Sequence, residues 1–159
     1  MAESGLIIAV CTGNICRSPM AEALLAHALK AETGRLAHFR VISAGVAARS
    51  GDPASANSVT ALKKVGIDIS QHLSQPLTTD MVAEADVVFG MTDSHLDVIQ
   101  AAIDPSPQNI HLLRGFMPAG TEQQIADPYG GPLPLYEACR DEIVEAIPSV
   151  MAFLRKEFG

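Results

Sequence analysis

Residues 6–19 read LIIAVCTGNICRSP, and this stretch decides the architecture. Leu6 to Val10 is an unbroken apolar run with no polar alternation. Such a run fits a strand buried on both faces, as a parallel sheet between helices requires. Residues 11–17 read as a turn in which Gly13 and Asn14 tolerate unusual backbone angles. Ser18-Pro19 reads as a helix opening, with Ser18 as N-cap, Pro19 in the first turn and Glu22 in support. Met20, Ala23, Leu24 and Ala28 give that helix an apolar face, and Gly34 is expected to end it.

The same alternation continues outward from this stretch. Phe39 to Ile42 reads as a second strand leading into Ser43-Ala44-Gly45, and 46–52 reads as a polar loop. Pro53 is expected to start a helix carrying Val59, Leu62, Lys63 and Val65 and closed by Gly66. Asp86 to Met91 reads as a third strand. Thr92 or Asp93 can cap a helix running through Ile103. Asn109 to Leu113 reads as a fourth strand, and 114–131 as a long glycine-bearing loop. Leu135 to Phe158 has the pattern of an amphipathic helix that Pro148 should bend. Strands alternating with helices predict one α/β domain over residues 1–159, a three-layer sandwich with a parallel sheet and helices on both faces. Ligands of such sheets bind beyond the C-terminal ends of the strands, where residues 11–18 lie.

Composition narrows the function. The 159 residues carry a formal charge of −7, which argues against a nucleic-acid surface and requires any anion site to be local. With no Trp, two Tyr and five Phe, the core must be aliphatic. The run at 6–11 is short and lacks a basic leader, so no signal peptide is read. No segment approaches the ~18 uninterrupted apolar residues of a membrane span. Cys11, Cys16 and Cys139 are too few for a disulfide scaffold, and a C-x4-C pair without His partners is a poor zinc pattern. A cytoplasmic, reduced protein with no membrane association is expected.

The chemistry sits in Cys11-Thr12-Gly13-Asn14-Ile15-Cys16-Arg17-Ser18, a C-x5-R-S segment between strand and helix. A short loop curling over a helix N-terminus points several backbone N–H groups into one cup, and those groups with the helix dipole favour an anion. Arg17 adds a two-pronged hydrogen bond to phosphate oxygens. Cys11 sits at the bottom of the cup, where the same dipoles favour a thiolate, placed for in-line attack on a bound phosphoryl group. C-x5-R alone occurs by chance, and the bland alternative is a structural Cys with a surface Arg. Its position after an apolar strand and before Ser-Pro makes it specific. Phosphoryl transfer also needs an acid for the leaving oxygen. Asp127-Pro128-Tyr129-Gly130 stands in the loop beyond the fourth strand, on the same sheet edge; read in isolation, an Asp-Pro pair is usually just a turn.

These residues resemble the low-molecular-weight protein tyrosine phosphatase family. The matching segments are Val10 to Glu22, Ser43-Ala44-Gly45, Gly66-Ile67-Asp68 with Ser70 and His72, Pro76-Leu77-Thr78, Ala85-Asp86 with Met91, and Asp127 to Gly131. The resemblance implies a four-stranded parallel sheet of order 2-1-3-4 with the phosphate loop after strand 1. It implies Cys11 as nucleophile, residues 12–16 as the loop, Arg17 as the phosphate clamp, and Asp127 as acid and then base. It gives Ser18 a hydroxyl bond to the thiolate, and Asn14, Ser43 and His72 the bracing of the loop. Cys16 matches a position able to form a disulfide with the nucleophile; a small buried apolar role is the alternative. Ile15 and Tyr129 would wall the substrate cleft. Phosphorylated protein is the implied substrate, with inorganic phosphate or another oxyanion as a site ligand. No cofactor or metal is implied, and a monomer or weak dimer is expected.

Two departures bear on specificity. Many relatives carry a second aromatic after the tyrosine, where this chain has Gly130-Gly131, and 46–51 lacks the cleft aromatic of eukaryotic members. Asp127-Pro-Tyr-Gly-Gly, Tyr136 and Arg140-Asp141-Glu142 resemble a bacterial branch that includes protein arginine phosphatases. Those carry Thr at the position of Ile15, so Ile15 favours phosphotyrosine, with phosphoarginine the nearest alternative. Thioredoxin-coupled arsenate reduction shares the fold but needs further cysteines near the third strand, and residues 80–95 have none. A catalytically silent phosphate-binding module would lack Cys11, Arg17 or Asp127, and all three are present.

Overall fold

The computed structural model describes residues 4–159. Four parallel strands, β1 (Gly5–Cys11), β2 (Phe39–Gly45), β3 (Val87–Gly90) and β4 (Ile110–Leu112), form one sheet in the order β2-β1-β3-β4. β1 is central, in register with Phe39–Gly45 on one side and Val87–Gly90 on the other. Its alternate side chains go to opposite faces. Ile7, Ala9 and Cys11 join one core with Met20, Leu25, Leu62 and Ile143. Leu6, Ile8 and Val10 join a second with Val88 and Ile99. Both faces are therefore dry, which explains why β1 is apolar throughout; burying each Ile or Leu contributes about 1.5–3 kcal/mol.

Among the described residues five α-helices cover the sheet: α1 (Arg17–Leu29), α2 (Ala56–Lys63), α3 (Thr79–Glu84), α4 (Asp93–Ala102) and α5 (Leu133–Phe158). α1, α2 and α5 pack together over the first core, and Met81, Ile99 and Ile103 bring α3 and α4 to the second. No helix among the described residues is long and apolar enough to cross a membrane.

Several element boundaries differ from the sequence reading, each for a local reason. α1 begins at Arg17 with Cys16 at the N-cap, so Ser18 lies inside the helix and caps nothing. The curled loop runs directly into the first helical turn, which frees the Ser18 hydroxyl for another partner. α1 ends at Leu29, and Gly34, at φ 68°, starts a short 3-10 turn (Gly34–His38) rather than closing the helix. Pro53 is held extended in a bridge to Leu73, and helix α2 starts after Ser55 and ends before the exposed Val65. α3 is a single short helix that the periodicity does not reveal; the Thr78 hydroxyl caps it by accepting from the Met81 N–H at 3.1 Å. α5 starts at Leu133 and runs continuously through Pro148 to Phe158.

Candidate active site

The loop after β1 closes over the N-terminus of α1 because its carbonyls are claimed from outside. Cys11 O accepts from the Val46 N–H at 3.0 Å, Thr12 O from the Ala47 N–H at 2.9 Å, and Ile15 O from the Ser55 N–H at 2.8 Å. Asn14 O accepts from His72 Nε2 at 2.7 Å, and Cys16 O from the Ser58 hydroxyl at 3.2 Å. Across a trans peptide the N–H points opposite to the preceding carbonyl, so these outward carbonyls aim the amides of Thr12, Gly13, Ile15, Cys16 and Arg17 toward the interior of the ring. Among the described residues, none of the amides of Thr12 to Cys16 donates to a loop, turn or cap carbonyl. Converging N–H groups at a helix N-terminus form an anion site.

Asn14 is the hub of the ring. It is fully buried and adopts φ 58°, a left-handed conformation that Asn tolerates better than most residues. Its Nδ2 donates to Ser18 Oγ at 2.8 Å and to Ser43 Oγ at 2.9 Å, and its Oδ1 accepts from the Gln75 N–H at 3.0 Å. Ser43 in turn donates to Glu22 Oε1 at 2.7 Å. Ser18 Oγ lies 2.9 Å from Cys11 Sγ. That oxygen also accepts from Asn14, which holds the hydroxyl beside the sulfur, where either atom can be the donor. Gly45 permits the close packing beneath: a Cβ there would collide with Thr12 O and lie 2.7 Å from the Ala48 Cβ.

The Arg17 guanidinium is buried, with Nη1 donating to Ile125 O at 2.9 Å and Nη2 to Thr12 Oγ1 at 3.4 Å. Its Nε is buried without a protein partner. Asp127 Oδ2 is 3.7 Å from Nη2, a long contact to a half-exposed carboxylate that adds little stability. Asp127 Oδ1 accepts from the Tyr129 N–H at 3.1 Å, an Asx turn that aims the carboxylate. The loop bearing Asp127 is tied down through Ile125, whose N–H donates to Met91 O at 2.9 Å, and through the buried Arg114. That residue donates to Glu122 O and Glu142 O, each at 2.8 Å. The resulting cleft has a volume of about 300 Å³. Cys11, Arg17 and Asp127 line it together with Ile15, Tyr129, Arg49 and Asp52.

The model of the low molecular weight phosphotyrosine protein phosphatase family matches residues 6–158. The chain belongs to that family. Its relatives carry three activity names. It is 39% identical to a protein-arginine-phosphatase of Geobacillus stearothermophilus, over 95% of this chain and 97% of that one. It is 36% identical to the probable low molecular weight protein-tyrosine-phosphatase EpsP of Ralstonia nicotianae, over 94% and 95%. An arsenate reductase of Brevibacillus brevis is 34% identical over 90% and 91%. Among solved structures, the low molecular weight protein tyrosine phosphatase from T. tengcongensis superposes with a TM-score of 0.84 at 36% identity, covering 94% of this chain and 99% of that one.

In this family member the residues singled out from sequence divide between the cleft lining and the hydrogen bonds that hold the ring. Thr12, Gly13, Ile15, Cys16 and Tyr129 line the cleft, while Asn14, Ser18, Ser43 and His72 stand behind the ring. Tyr129 is 65% exposed, a wall open to solvent on its outer side. Cys16, like the other two cysteines, is a free thiol. Its Sγ lies 3.0 Å from Ser55 Oγ and 3.6 Å from the Tyr136 hydroxyl, and burial pushes the thiol up from its ordinary range. Burial likewise raises Tyr136 to about 12.

Sequence reasoning missed Glu22 and Gln75 as braces, Ile125 as the carbonyl anchor of Arg17, and Arg114 as the strut of the Asp127 loop. It also missed His95, which is buried at the head of α4 with Nε2 3.0 Å from Thr12 Oγ1. Burial, then the neighbouring Arg17, depresses His95 to about 4 against a smaller opposing pull from Asp127. Only the Ser-x-His pattern at 70–72 singled out a histidine, and no comparable local pattern surrounds His95.

Proposed function

We propose that this phosphatase hydrolyses phosphotyrosine in proteins through a covalent phosphocysteine. What supports the site assignment is the convergence of the Cys11 sulfur, the inward amides and the unsatisfied Arg17 Nε on one cleft. In the first step the Cys11 thiolate attacks phosphorus in line. The S–P bond forms as the P–O bond to the phenol breaks, and Asp127 gives its proton to the departing oxygen. The loop amides and Arg17 hold the equatorial oxygens throughout, where charge is greatest. In the second step Asp127, now a carboxylate, takes a proton from water as that water attacks phosphorus. Phosphate leaves and the thiolate is restored, with Ser18 donating to the sulfur as leaving group.

Phosphotyrosine is favoured by the Ile15 side chain in the cleft wall together with Tyr129, apolar surfaces suited to a flat ring. Phosphoarginine is the second reading. It draws on the 39% identical protein-arginine-phosphatase and on Asp52, a carboxylate in the cleft lining that a guanidinium could meet. Steady-state kinetics on matched phosphotyrosine and phosphoarginine peptides test the choice. The expected outcome is a higher kcat/KM for phosphotyrosine, with Ile15→Thr shifting the ratio toward phosphoarginine. A preference for phosphoarginine in the native chain would replace the first reading with the second. Arsenate reduction is disfavoured because residues 80–95 contain no cysteine, and Cys139, the one cysteine outside the loop, is buried with its thiol pushed up to about 12.

The further expectations join this proposal: a cytoplasmic monomer or weak dimer, and reversible oxidative shut-off through a Cys11–Cys16 disulfide. Burial keeps Cys16 mostly as thiol, so the resolving step should be slow at neutral pH.

A further inference from the structure

We propose that His95 is a positioning residue of the phosphate site, fixing the Arg17 guanidinium through the Thr12 hydroxyl. This inference rests on the phosphatase reading above.

The argument is one of hydrogen-bond direction. His95 is 2% exposed in the first turn of α4. Its Nδ1 lies 3.2 Å from the Thr92 N–H nitrogen and 3.3 Å from that of Met91. Both are donors, so Nδ1 accepts, and the ring proton belongs on Nε2. Nε2 is 3.0 Å from Thr12 Oγ1 and therefore donates to it. Arg17 Nη2 donates to the same oxygen at 3.4 Å. Thr12 thus has both lone pairs engaged, one by α4 and one by the guanidinium. Arg17 is held at two points, Thr12 Oγ1 and Ile125 O. That leaves Nε as the buried guanidinium N–H without a hydrogen-bond partner among the described residues. The two supports come from different segments, α4 through His95 and the Asp127 loop through Ile125, both docked at Met91 beyond β3. Without His95 the Thr12 side chain, which is exposed in the cleft, is free to rotate, and Arg17 loses one of its two fixed points.

Side-chain geometry supplies the test. His95→Asn sets an amide oxygen where Nδ1 was and keeps the helix cap, but it does not reach Thr12. His95→Gln can place an amide N–H where Nε2 was. Thr12→Val keeps the shape and removes the shared oxygen. We expect His95→Asn and Thr12→Val each to lower kcat/KM for an aryl phosphate about ten-fold and to weaken inhibition by inorganic phosphate by a similar factor. The double variant should be no worse than either single one, because both break one chain of bonds. His95→Gln should recover part of the phosphate affinity. Thr12→Val should leave the unfolding midpoint close to that of the native chain, which separates positioning from folding. Additive losses in the double variant, or unchanged phosphate inhibition in Thr12→Val, would overturn the inference. A native chain that bound phosphate but turned over no aryl phosphate would instead overturn the phosphatase reading. Phosphate binding measured by calorimetry would then still decide the role of His95.

Discussion

Replacing Asn14 with Ala removes the hub that holds the phosphate loop closed, and its cost can be worked from the contacts. Three side-chain hydrogen bonds disappear: to Ser18 at 2.8 Å, to Ser43 at 2.9 Å and from the Gln75 amide at 3.0 Å. At about 1 kcal/mol each they contribute about 3 kcal/mol. Holding Ala at φ 58° adds about 1 kcal/mol that Asn largely avoids. The expected loss is therefore about 3–4 kcal/mol, a large share of the ~5–15 kcal/mol that holds a typical domain. Activity should fall for a separate reason. Asn14 donates to the Ser18 oxygen and so holds that hydroxyl 2.9 Å from the Cys11 sulfur, placed to donate to the thiolate that the proposed attack requires. With Asn14 gone the Ser18 hydroxyl can turn elsewhere, and the thiolate loses part of a charge-assisted bond worth about 1.5–3 kcal/mol. That predicts a drop in kcat/KM of about ten-fold or more. Urea unfolding by circular dichroism and hydrolysis of an aryl phosphate measure the two effects on one preparation. A loss below about 1 kcal/mol with kcat/KM within about two-fold of native would refute the network as the device that shapes the ring.

Other outcomes follow from the same contacts. Asp127→Ala should slow phenyl phosphate hydrolysis by about 10²–10⁴-fold and an activated nitrophenyl ester far less, since only the poorer leaving group needs the proton; equal losses on both would remove Asp127 from the acid role. Stability should fall as pH drops below the unfolded histidine value of 6.5, because the buried His95 has a folded value of about 4 and the unfolded chain binds the extra proton. The loss grows until about pH 4 and reaches about 3 kcal/mol at ~1.4 kcal/mol per unit. His111, lowered by burial among Phe116 and Phe153 against a weaker pull from Glu157, acts in the same direction. Urea midpoints at pH 7.5 and 5 should differ less for His95→Asn than for the native chain; identical pH slopes would count against a neutral buried His95.

The fold was legible from residues 6–19 because a strand dry on both faces leaves an apolar run that no half-exposed strand would carry, and the following helix is marked by its own periodicity. The Cys11–Arg17 pairing was legible for the same local reason: seven consecutive residues carry the sulfur, the ring of amides and the guanidinium, so chain connectivity alone brings them together. Element ends were less legible. Ser18 has the chemistry of a cap, and only the curl of the loop shows that the helix has begun before it. The Asp127 loop needed the resemblance to be read, since an Asp-Pro pair looks the same in any turn.

What surrounds the ring was decided by the tertiary structure. Ser43 reaches Asn14 because β1 and β2 run parallel in register. His95 reaches Thr12 because β3 lies beside β1 and delivers the start of α4 to the same edge. Ile125 reaches Arg17 because its own amide docks on the end of β3 at Met91. These partners are separated by 29, 83 and 108 positions along the chain. Chemistry written within one turn of backbone is readable from one turn of sequence. A hydrogen bond across a sheet edge depends on strand order, which residue identities around either partner do not encode.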